Sequence, residues 1–179
     1  MNARRSTGCI AITFGVLVGL MSAQAWSQQK YQITRPPSSS AQYVQQHAID
    51  VDDAAGHQIR VYEIRYEYPK KDFALAGVQV LQALTRGISD YVGLSGPFTT
   101  YTVYTLEDGN KVFSRGTGTS MMTTGASGNS VVKFSAVENY LGGTGRFKGI
   151  RGQVLISGER DVVAKSLTQQ SNGEYWIEE

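Results

Sequence analysis

The stretch that decides the fold is residues 99–119, which read TTYTVYTLEDGNKVFSRGTGT. Two runs rich in threonine, tyrosine and valine, residues that are typical of β-strands, flank the dipeptide Asp108-Gly109. An Asp-Gly pair favours a two-residue type I′ turn, because both central residues of that turn need a positive φ. The stretch therefore predicts an antiparallel β-hairpin.

The turn also predicts a register for this hairpin. Counting back from Asp108-Gly109 gives the pairs Leu106–Lys111, Tyr104–Phe113 and Thr102–Arg115. The opposite face then carries Tyr101, Val103 and Thr105 with Val112, Ser114 and Gly116. In this register Arg115 lies beside Tyr104 and Phe113.

Further strand-like segments lie on both sides of the hairpin. Residues 57–68 alternate in polarity and predict a strand. Residues 74–92 fit both a helix and a strand, but Gly77 and Gly87 would each destabilise a helix by roughly 1 kcal/mol. A long strand is therefore favoured there, with a helix as the alternative. Residues 171–173, Ser-Asn-Gly, predict a turn before a short last strand.

Short strands separated by Gly, Asn and Asp turns, with no convincing amphipathic helix, are typical of an antiparallel sandwich or barrel. A barrel is favoured because it leaves no exposed sheet edges. We therefore expect an all-β fold, an eight-stranded antiparallel β-barrel over residues 49–179. A barrel of this size can hold one small ligand.

The N-terminal part of the chain predicts export. Arg4 and Arg5 precede an apolar run at residues 9–21, and Ala23-Gln24-Ala25 fits a signal-peptidase site. We expect a signal peptide at residues 1–25, a flexible leader rich in Gln and Ser at residues 26–48, and a secreted or periplasmic protein with no membrane attachment after cleavage. An uncleaved membrane anchor is the alternative.

Composition argues against several kinds of partner. Without Arg4 and Arg5 the chain has 15 basic and 15 acidic residues, so it lacks the positive charge of a nucleic-acid-binding protein. The single cysteine, Cys9, leaves with the signal peptide. His47 and His57 have no second ligand at metal-binding spacing. We therefore expect no metal, no cofactor and no nucleic-acid partner.

The glycine-rich run at residues 142–153, GGTGRFKGIRGQ, can be compared with known nucleotide-binding motifs. No Ser or Thr follows Lys148, as a P-loop requires, and the third glycine comes one position too late for a dinucleotide fingerprint. No helical pattern follows that would receive a phosphate. The run instead predicts a tight corner between two strands.

Two groups of strand residues are candidates for a site. Tyrosine and phenylalanine rings can line a pocket for an apolar or phenolic ligand, although packing is an ordinary role for them. The candidate ligand-binding residues are Tyr101, Tyr104, Phe113 and Tyr140. Buried ionisable residues can carry perturbed pKa values suited to acid–base chemistry, although solvent exposure is the alternative. The candidate catalytic residues are Arg115, Asp90 and Glu138.

The glycine-rich run resembles the loop Gly-Gly-Thr-Gly-Lys-Phe-Arg-x-Ala-Arg-Gly of plant dirigent proteins and the related loop of allene oxide cyclases. Exported bacterial proteins with an allene oxide cyclase-like barrel are more similar still, in the stretches RGISDYVGLSGPF, DGNKVFSRGTGTS and GEYWIE. The resemblance covers about residues 50–179. It implies a calycin-type eight-stranded barrel with a central cavity, assembled as a homotrimer.

The resemblance implies a class of chemistry without assigning residues. Dirigent proteins steer the coupling of phenoxy radicals, and allene oxide cyclases close an unsaturated fatty-acid epoxide to a cyclopentenone. We therefore expect a barrel that binds a small apolar or phenolic molecule in its lumen and directs its cyclisation or coupling. A cofactor-free isomerase or cyclase, and a non-catalytic interaction barrel with a filled lumen, are the alternatives.

Overall fold

The computed structural model describes residues 29–36, 40–69, 73–125, 128–164 and 167–178. The expected signal peptide, residues 1–25, lies outside the described residues. The strands are β1 (Lys30–Thr34), β2 (Ser40–Asp50), β3 (His57–Glu67), β4 (Ala74–Leu75), β5 (Val78–Val92), β6 (Gly96–Leu106), β7 (Lys111–Thr124), β8 (Ser130–Gly143), β9 (Ile150–Asp161) and β10 (Leu167–Ile177).

All ten strands belong to one antiparallel arrangement, which confirms the predicted all-β class. The ladder runs in the order β1-β10-β9-β8-β7-β6-β5-β3-β2, and the short β4 pairs with β5. Sequential hairpins generate most of this order, as expected for strands joined by short turns. Among the described residues no ladder joins β1 to β2, so the hydrogen-bonded path has two ends.

The sheet is strongly curved. Five inter-strand spacings separate β10 from β5 along the ladder, which in a flat sheet would be about 24 Å. Yet the amide of Ala76, just before β5, donates to Tyr175 Oη on β10 at 2.6 Å. The sheet therefore bends back on itself, and its concave face encloses the core. Alternate side chains along each strand point to this face, as the two-residue period of a strand requires.

The hairpin forms as predicted, but the predicted register is wrong by one residue. The Gly109 amide donates to Leu106 O at 3.0 Å, and Gly109 has φ +80°. Asp108 is not in the positive-φ region, and its side chain accepts from the Asn110 amide at 2.9 Å. The loop is therefore longer than a two-residue I′ turn.

The longer loop shifts the pairs to Tyr101–Arg115, Val103–Phe113 and Tyr104–Val112. Because side chains alternate between the two faces, the shift moves the whole of β7 to the other side relative to β6. Tyr104 and Val112 face the core, whereas Phe113 and Arg115 lie on the convex face with Tyr101. The predicted contact of Arg115 with Tyr104 is thus replaced by a contact with Tyr101.

Two other segments can be compared with the sequence. Residues 78–92 form β5, so the long strand is confirmed over the helix. The turn predicted at residues 171–173 is wrong, because β10 continues through it. Gly173 pairs there with Val154, and the backbone of β9 lies so close to Gly173 that a Cβ would overlap it. Gly here marks a close approach of strands rather than a turn.

The segment assigned to a flexible leader contributes to the sheet. Within residues 26–48 the structure describes all of β1 and most of β2, and β1 pairs with β10 over five residues. The boundary at residue 49 therefore falls inside a strand. Arg35, which directly follows β1, is buried.

The glycine-rich run forms the predicted corner between two strands. A 3-10 turn at Gly145–Phe147 joins β8 to β9, and Phe147 is fully buried. The Thr144 amide donates to Lys111 O at 2.8 Å, which attaches the corner to the central hairpin. Arg146 donates to the carbonyl of Ala76. The Arg146 guanidinium is therefore engaged in a contact within the chain.

Candidate functional site

A buried ion pair lies on the concave face. Arg35 Nη1 is 3.0 Å from Glu138 Oε2, and the two residues are 7% and 5% exposed. The hydroxyl of Tyr104 donates to Glu138 Oε1 at 2.5 Å. The guanidinium carbon lies 5.2 Å from the centre of the Tyr104 ring and 5.5 Å from that of Phe73. Aromatic rings therefore enclose the charged groups.

Both members of the pair keep their charge in spite of burial. Burial raises the pKa of Glu138, but the Arg35 charge and the neighbouring hydroxyl groups outweigh it, so this pKa lies below its ordinary value. Burial likewise lowers the pKa of Arg35, but Glu138 together with the neighbouring tyrosines outweighs it, and the pKa is raised. Burial raises the pKa of Tyr104 well above its ordinary value, so its hydroxyl stays protonated and remains a donor.

Aromatic rings continue along the concave face from this pair. The successive contacts are Tyr68–Phe73 at 5.0 Å, Phe73–Tyr104 at 5.9 Å, Tyr104–Tyr140 at 6.3 Å, Tyr140–Tyr175 at 6.0 Å and Tyr175–Tyr31 at 5.0 Å between ring centres. All but the last are edge-to-face, an arrangement favoured by the ring quadrupole. We call these six rings with Arg35 and Glu138 the sealed cluster.

Several buried polar atoms near the sealed cluster make no hydrogen bond of normal geometry to the residues that the structure describes. They are Arg35 Nε and Nη2, Ser114 Oγ and Tyr140 Oη; Ser89 Oγ is a further one on β5. Ser114 lies close enough to Glu138 to help lower its pKa, although its hydroxyl makes no hydrogen bond of normal geometry. Unpartnered buried polar groups are costly, and a cluster of them is a common sign of a polar ligand or of water.

The other end of the concave face is more open. Tyr62 on β3, Phe98 on β6 and Phe134 on β8 face inward there and are half-buried. Each ring lies over the glycine that pairs with it on the adjacent strand, and a Cβ on that glycine would overlap the ring. These glycines are Gly87, Gly118 and Gly158. We call these three rings with their glycines the aromatic floor.

The structure divides the seven predicted site residues among three places. Glu138, Tyr104 and Tyr140 belong to the sealed cluster. Tyr101 and Arg115 contact each other on the convex face, with the guanidinium 5.8 Å from the ring centre, and Phe113 lies on the same face, half-buried. Asp90 is exposed and contacts His57. The three predicted catalytic residues are therefore not brought together.

Besides the rings of the aromatic floor, Tyr62, Phe98 and Phe134, the sequence analysis missed Arg35. It lay in a segment that was read as a leader because of its Gln, Ser and Pro content. A signal was nevertheless present, because Tyr31, Ile33 and Arg35 alternate with Gln32 and Thr34 as in a strand. Glu138 was found from the sequence, but its partner lies 103 residues away.

Two open depressions lie away from the concave face. One, of about 300 Å³, is formed by residues 50–57, and the other, of about 690 Å³, is a groove on the convex side of β8, β9, β10 and β1. We give more weight to the concave face, because buried polar groups and aromatic rings converge there. Within the described residues, no group of three or more His, Cys, Asp or Glu side chains is arranged to hold a metal ion.

Comparison of the chain with known protein families, with curated proteins and with solved structures finds no match. The resemblance to allene oxide cyclase-like and dirigent-like proteins therefore stays a prediction. In the part of the chain that the structure describes, no helix is long and apolar enough to span a membrane.

Proposed function

We propose that this chain is an exported protein that binds a small apolar or phenolic molecule on the concave face of its sheet and directs its cyclisation or coupling. The observation that supports this best is the aromatic floor, where half-buried rings remain accessible beside a sealed core. Ligand sites are typically concave, largely apolar and equipped with a few polar groups. Ser89 Oγ, buried without a partner on the strand next to Phe98, is one such group.

The same proposal includes a calycin-type, allene oxide cyclase-like barrel with a lumen. Among the strands that the structure describes, eight have 11 or more residues, namely β2, β3 and β5 to β10. These eight strands are consecutive in the ladder, as the strands of an eight-stranded barrel must be. The contact of Tyr175 with Ala76 supports strong curvature between them.

Binding or steering accounts for the residues better than acid–base catalysis does. Glu138 is paired with Arg35 and its pKa is lowered, so it is a weak base. Asp90 and Arg115 lie on the exposed face of the sheet. A cofactor-free isomerase or cyclase, and an interaction barrel with a filled interior, are the competing proposals.

Two matched variants test the location of the site. Ala136 on β8 faces the aromatic floor opposite Gly118, whereas the adjacent Val137 faces the convex side. Ala136→Leu should fill the floor and weaken binding of 4-propylphenol, a phenolic probe, by about tenfold or more, the factor that corresponds to ~1.4 kcal/mol. Val137→Leu should leave binding unchanged. Binding is measured by titrating each protein with the probe and monitoring the NMR spectrum. Equal binding by both variants and the wild type would reject the concave site.

Export and assembly are further parts of the proposal. The Arg4-Arg5 start and the apolar run at residues 9–21 support export through a signal peptide. Fractionation of expressing bacteria, with mass spectrometry of the mature N-terminus, tests cleavage after Ala25. The resemblance supports a homotrimer, which sedimentation of the mature chain tests. Native mass spectrometry of the same material will detect a co-purifying small molecule.

A further inference from the structure

His57 lies between two carboxylates from different parts of the chain. It begins β3, and its Nδ1 contacts Asp53 Oδ1 in the loop that follows β2. Its Nε2 is 2.6 Å from Asp90 Oδ1 near the end of β5. The His57 side chain is 18% exposed, whereas both carboxylates are largely exposed. One imidazole ring therefore joins the 51–56 loop to the far end of a neighbouring strand.

This geometry defines the protonation state of the ring. A neutral imidazole has one donor and one acceptor nitrogen, whereas an ionised carboxylate only accepts. Two simultaneous hydrogen bonds to two carboxylates therefore require both ring nitrogens to carry a proton. The ring that satisfies both contacts is the imidazolium cation.

The charges around His57 favour this cation. Asp50 on β2 and Asp52 and Asp53 in the loop line the depression beside the ring, and Asp90 faces it from β5. On β3 itself, the basic residue closest to His57 in sequence is Arg60, which donates to Gly93 O at 3.5 Å in the turn after β5. Acidic groups thus outnumber basic ones around the ring.

Backbone hydrogen bonds at the same place depend on the position of the loop. The Val51 amide donates to His57 O at 3.0 Å, the His57 amide to Ala54 O at 3.0 Å, and the Gly93 amide to Gly56 O at 2.9 Å. The last of these joins the loop to the turn after β5. All three hydrogen bonds require the loop to stay in place. Protection of these amides therefore reports whether the loop is closed.

We propose that His57 is a pH-operated clasp: its protonated ring holds the 51–56 loop against the end of β5, and its deprotonation releases the loop. When the ring loses its proton, one of the two nitrogens becomes an acceptor that faces a carboxylate. That contact turns repulsive, and the His57 ring separates either from Asp90 on β5 or from Asp53 in the loop, so the loop is no longer held to β5. Binding of a ligand to the concave face is not needed for this device.

The direction of the pH effect follows from linkage. Hydrogen bonds to Asp90 and Asp53 raise the pKa of His57 above its ordinary value, against the smaller effect of burial. A raised pKa in the folded state means that the clasp contributes fully below the ordinary histidine pKa, and that its contribution is lost as the pH rises through the folded value. Closure should therefore be complete below the ordinary histidine pKa and lost as the pH rises through the raised pKa of folded His57.

NMR of the full-length chain tests the clasp directly. In a His47→Gln background, which leaves one histidine, long-range proton–nitrogen spectra across pH 5–9 should show both His57 nitrogens protonated below a midpoint that lies above the ordinary histidine value of about 6.5. Hydrogen exchange of the Val51 and Gly93 amides should accelerate through the same midpoint, after correction for the intrinsic pH dependence of exchange.

Two variants serve as the test and the control for the clasp. Asp90→Asn should lower the midpoint and make the Gly93 amide exchange several-fold faster at pH 6, whereas Glu63→Gln, further along β3, should change neither. A His57 ring that titrates at its ordinary value, or a midpoint unaffected by Asp90→Asn, would overturn the proposal. So would loop exchange that does not follow the titration.

Discussion

At the scale of single residues, the sealed cluster combines one strong polar contact with several unsatisfied atoms. Tyr104 donates to the ionised Glu138, and hydrogen bonds to charged groups contribute about 1.5–3 kcal/mol. Tyr140 is equally buried, but its hydroxyl, although close enough to Arg35 to affect its pKa, makes no hydrogen bond of normal geometry to the described residues, and such a group costs about 1–3 kcal/mol. Two tyrosines whose rings are in contact are therefore expected to respond in opposite directions to loss of the hydroxyl.

The first prediction concerns these two hydroxyl groups. Tyr104→Phe should lower the free energy of unfolding by about 1.5–3 kcal/mol, because Glu138 loses a donor. Tyr140→Phe should leave it unchanged or raise it, because an unpaired polar atom is removed. Urea denaturation of both variants measures the difference. A loss of the same size in both would show that Tyr140 has a partner, such as Arg35 or a buried water molecule.

The second prediction concerns the charge of Glu138. Glu138→Gln leaves Arg35 buried without a counter-charge and should cost about 3–5 kcal/mol. Because the pKa of folded Glu138 lies below its ordinary value, the stabilisation is present above the ordinary carboxyl pKa of about 4.3 and is lost as the pH falls through the folded value. The wild type should therefore lose stability steeply in acid, and the variant less so.

Glu159→Gln is the control for this prediction. Glu159 contacts Lys133 at 3.9 Å, with both side chains more than half exposed, so its loss should cost less than about 1 kcal/mol. Its stability should depend on pH as that of the wild type does. An acid dependence in Glu138→Gln that equals the wild type's would contradict a role for the buried pair.

At the scale of elements, pairs of an aromatic residue and a glycine determine how the strands of the aromatic floor meet. Tyr62, Phe98 and Phe134 each lie over a glycine on the next strand, where any larger residue would occupy the volume of the ring. Glycine alone weakens a strand, but a cross-strand ring covers its backbone and replaces the missing side-chain contacts. One glycine in each of β5, β7 and β9 therefore leaves space for a large ring inside.

The third prediction tests such a pair. A Cβ at Gly118 would overlap Ser135 O on β8 and the ring of Phe98, so Gly118→Ala should lower the free energy of unfolding by about 1–3 kcal/mol. Thr117→Ala, the exposed neighbour on the same strand, should stay within about 0.5 kcal/mol. Urea denaturation compares the two. Equal stability of both variants would mean that the Phe98 ring and the backbone of β8 both move away at little cost.

The central hairpin shows how far sequence reasoning reaches at this scale. Two β-rich runs around Asp108-Gly109 were sufficient to predict the hairpin. They were insufficient for the register, because the side chain of Asp108 bonds to Asn110 and leaves Gly109 alone with a positive φ. This local hydrogen bond lengthens the loop by one residue. It moves Arg115 and Phe113 from the predicted site to the convex face.

At the scale of the whole molecule, curvature joins strands that the ladder separates. β1 pairs with β10, but Arg35 at its end reaches Glu138 on β8 and the Tyr104 ring on β6. Tyr31 on β1 also stacks on Tyr175 at 5.0 Å. The short first strand therefore completes the sealed cluster, although it contributes only five residues to the sheet.

The fourth prediction tests the contribution of this strand. A chain that begins at Ser40 lacks β1 and Arg35, and leaves Glu138 buried and unpaired. It should lose at least about 3–5 kcal/mol of stability, the cost of breaking a buried pair, and unfold at a lower temperature. Lys30→Ala, which removes an exposed pair with Glu174, should cost less than about 1 kcal/mol. A truncated chain as stable as the wild type would restore the interpretation of this segment as a leader.

The sequence by itself determined most of the strands after residue 57, the hairpin and the glycine corner, because these depend on alternation, turn residues and backbone freedom between near neighbours in the chain. The tertiary structure decided which face each residue occupies and which residues meet. Tyr104, Tyr140 and Glu138 were identifiable as strand residues, but their partner Arg35 was not, since a buried charge is paired only when curvature brings two distant strands together. Asp90 and Arg115 lie on the convex face. The register of the strands and the bend of the sheet, rather than composition, determine which residues face the core.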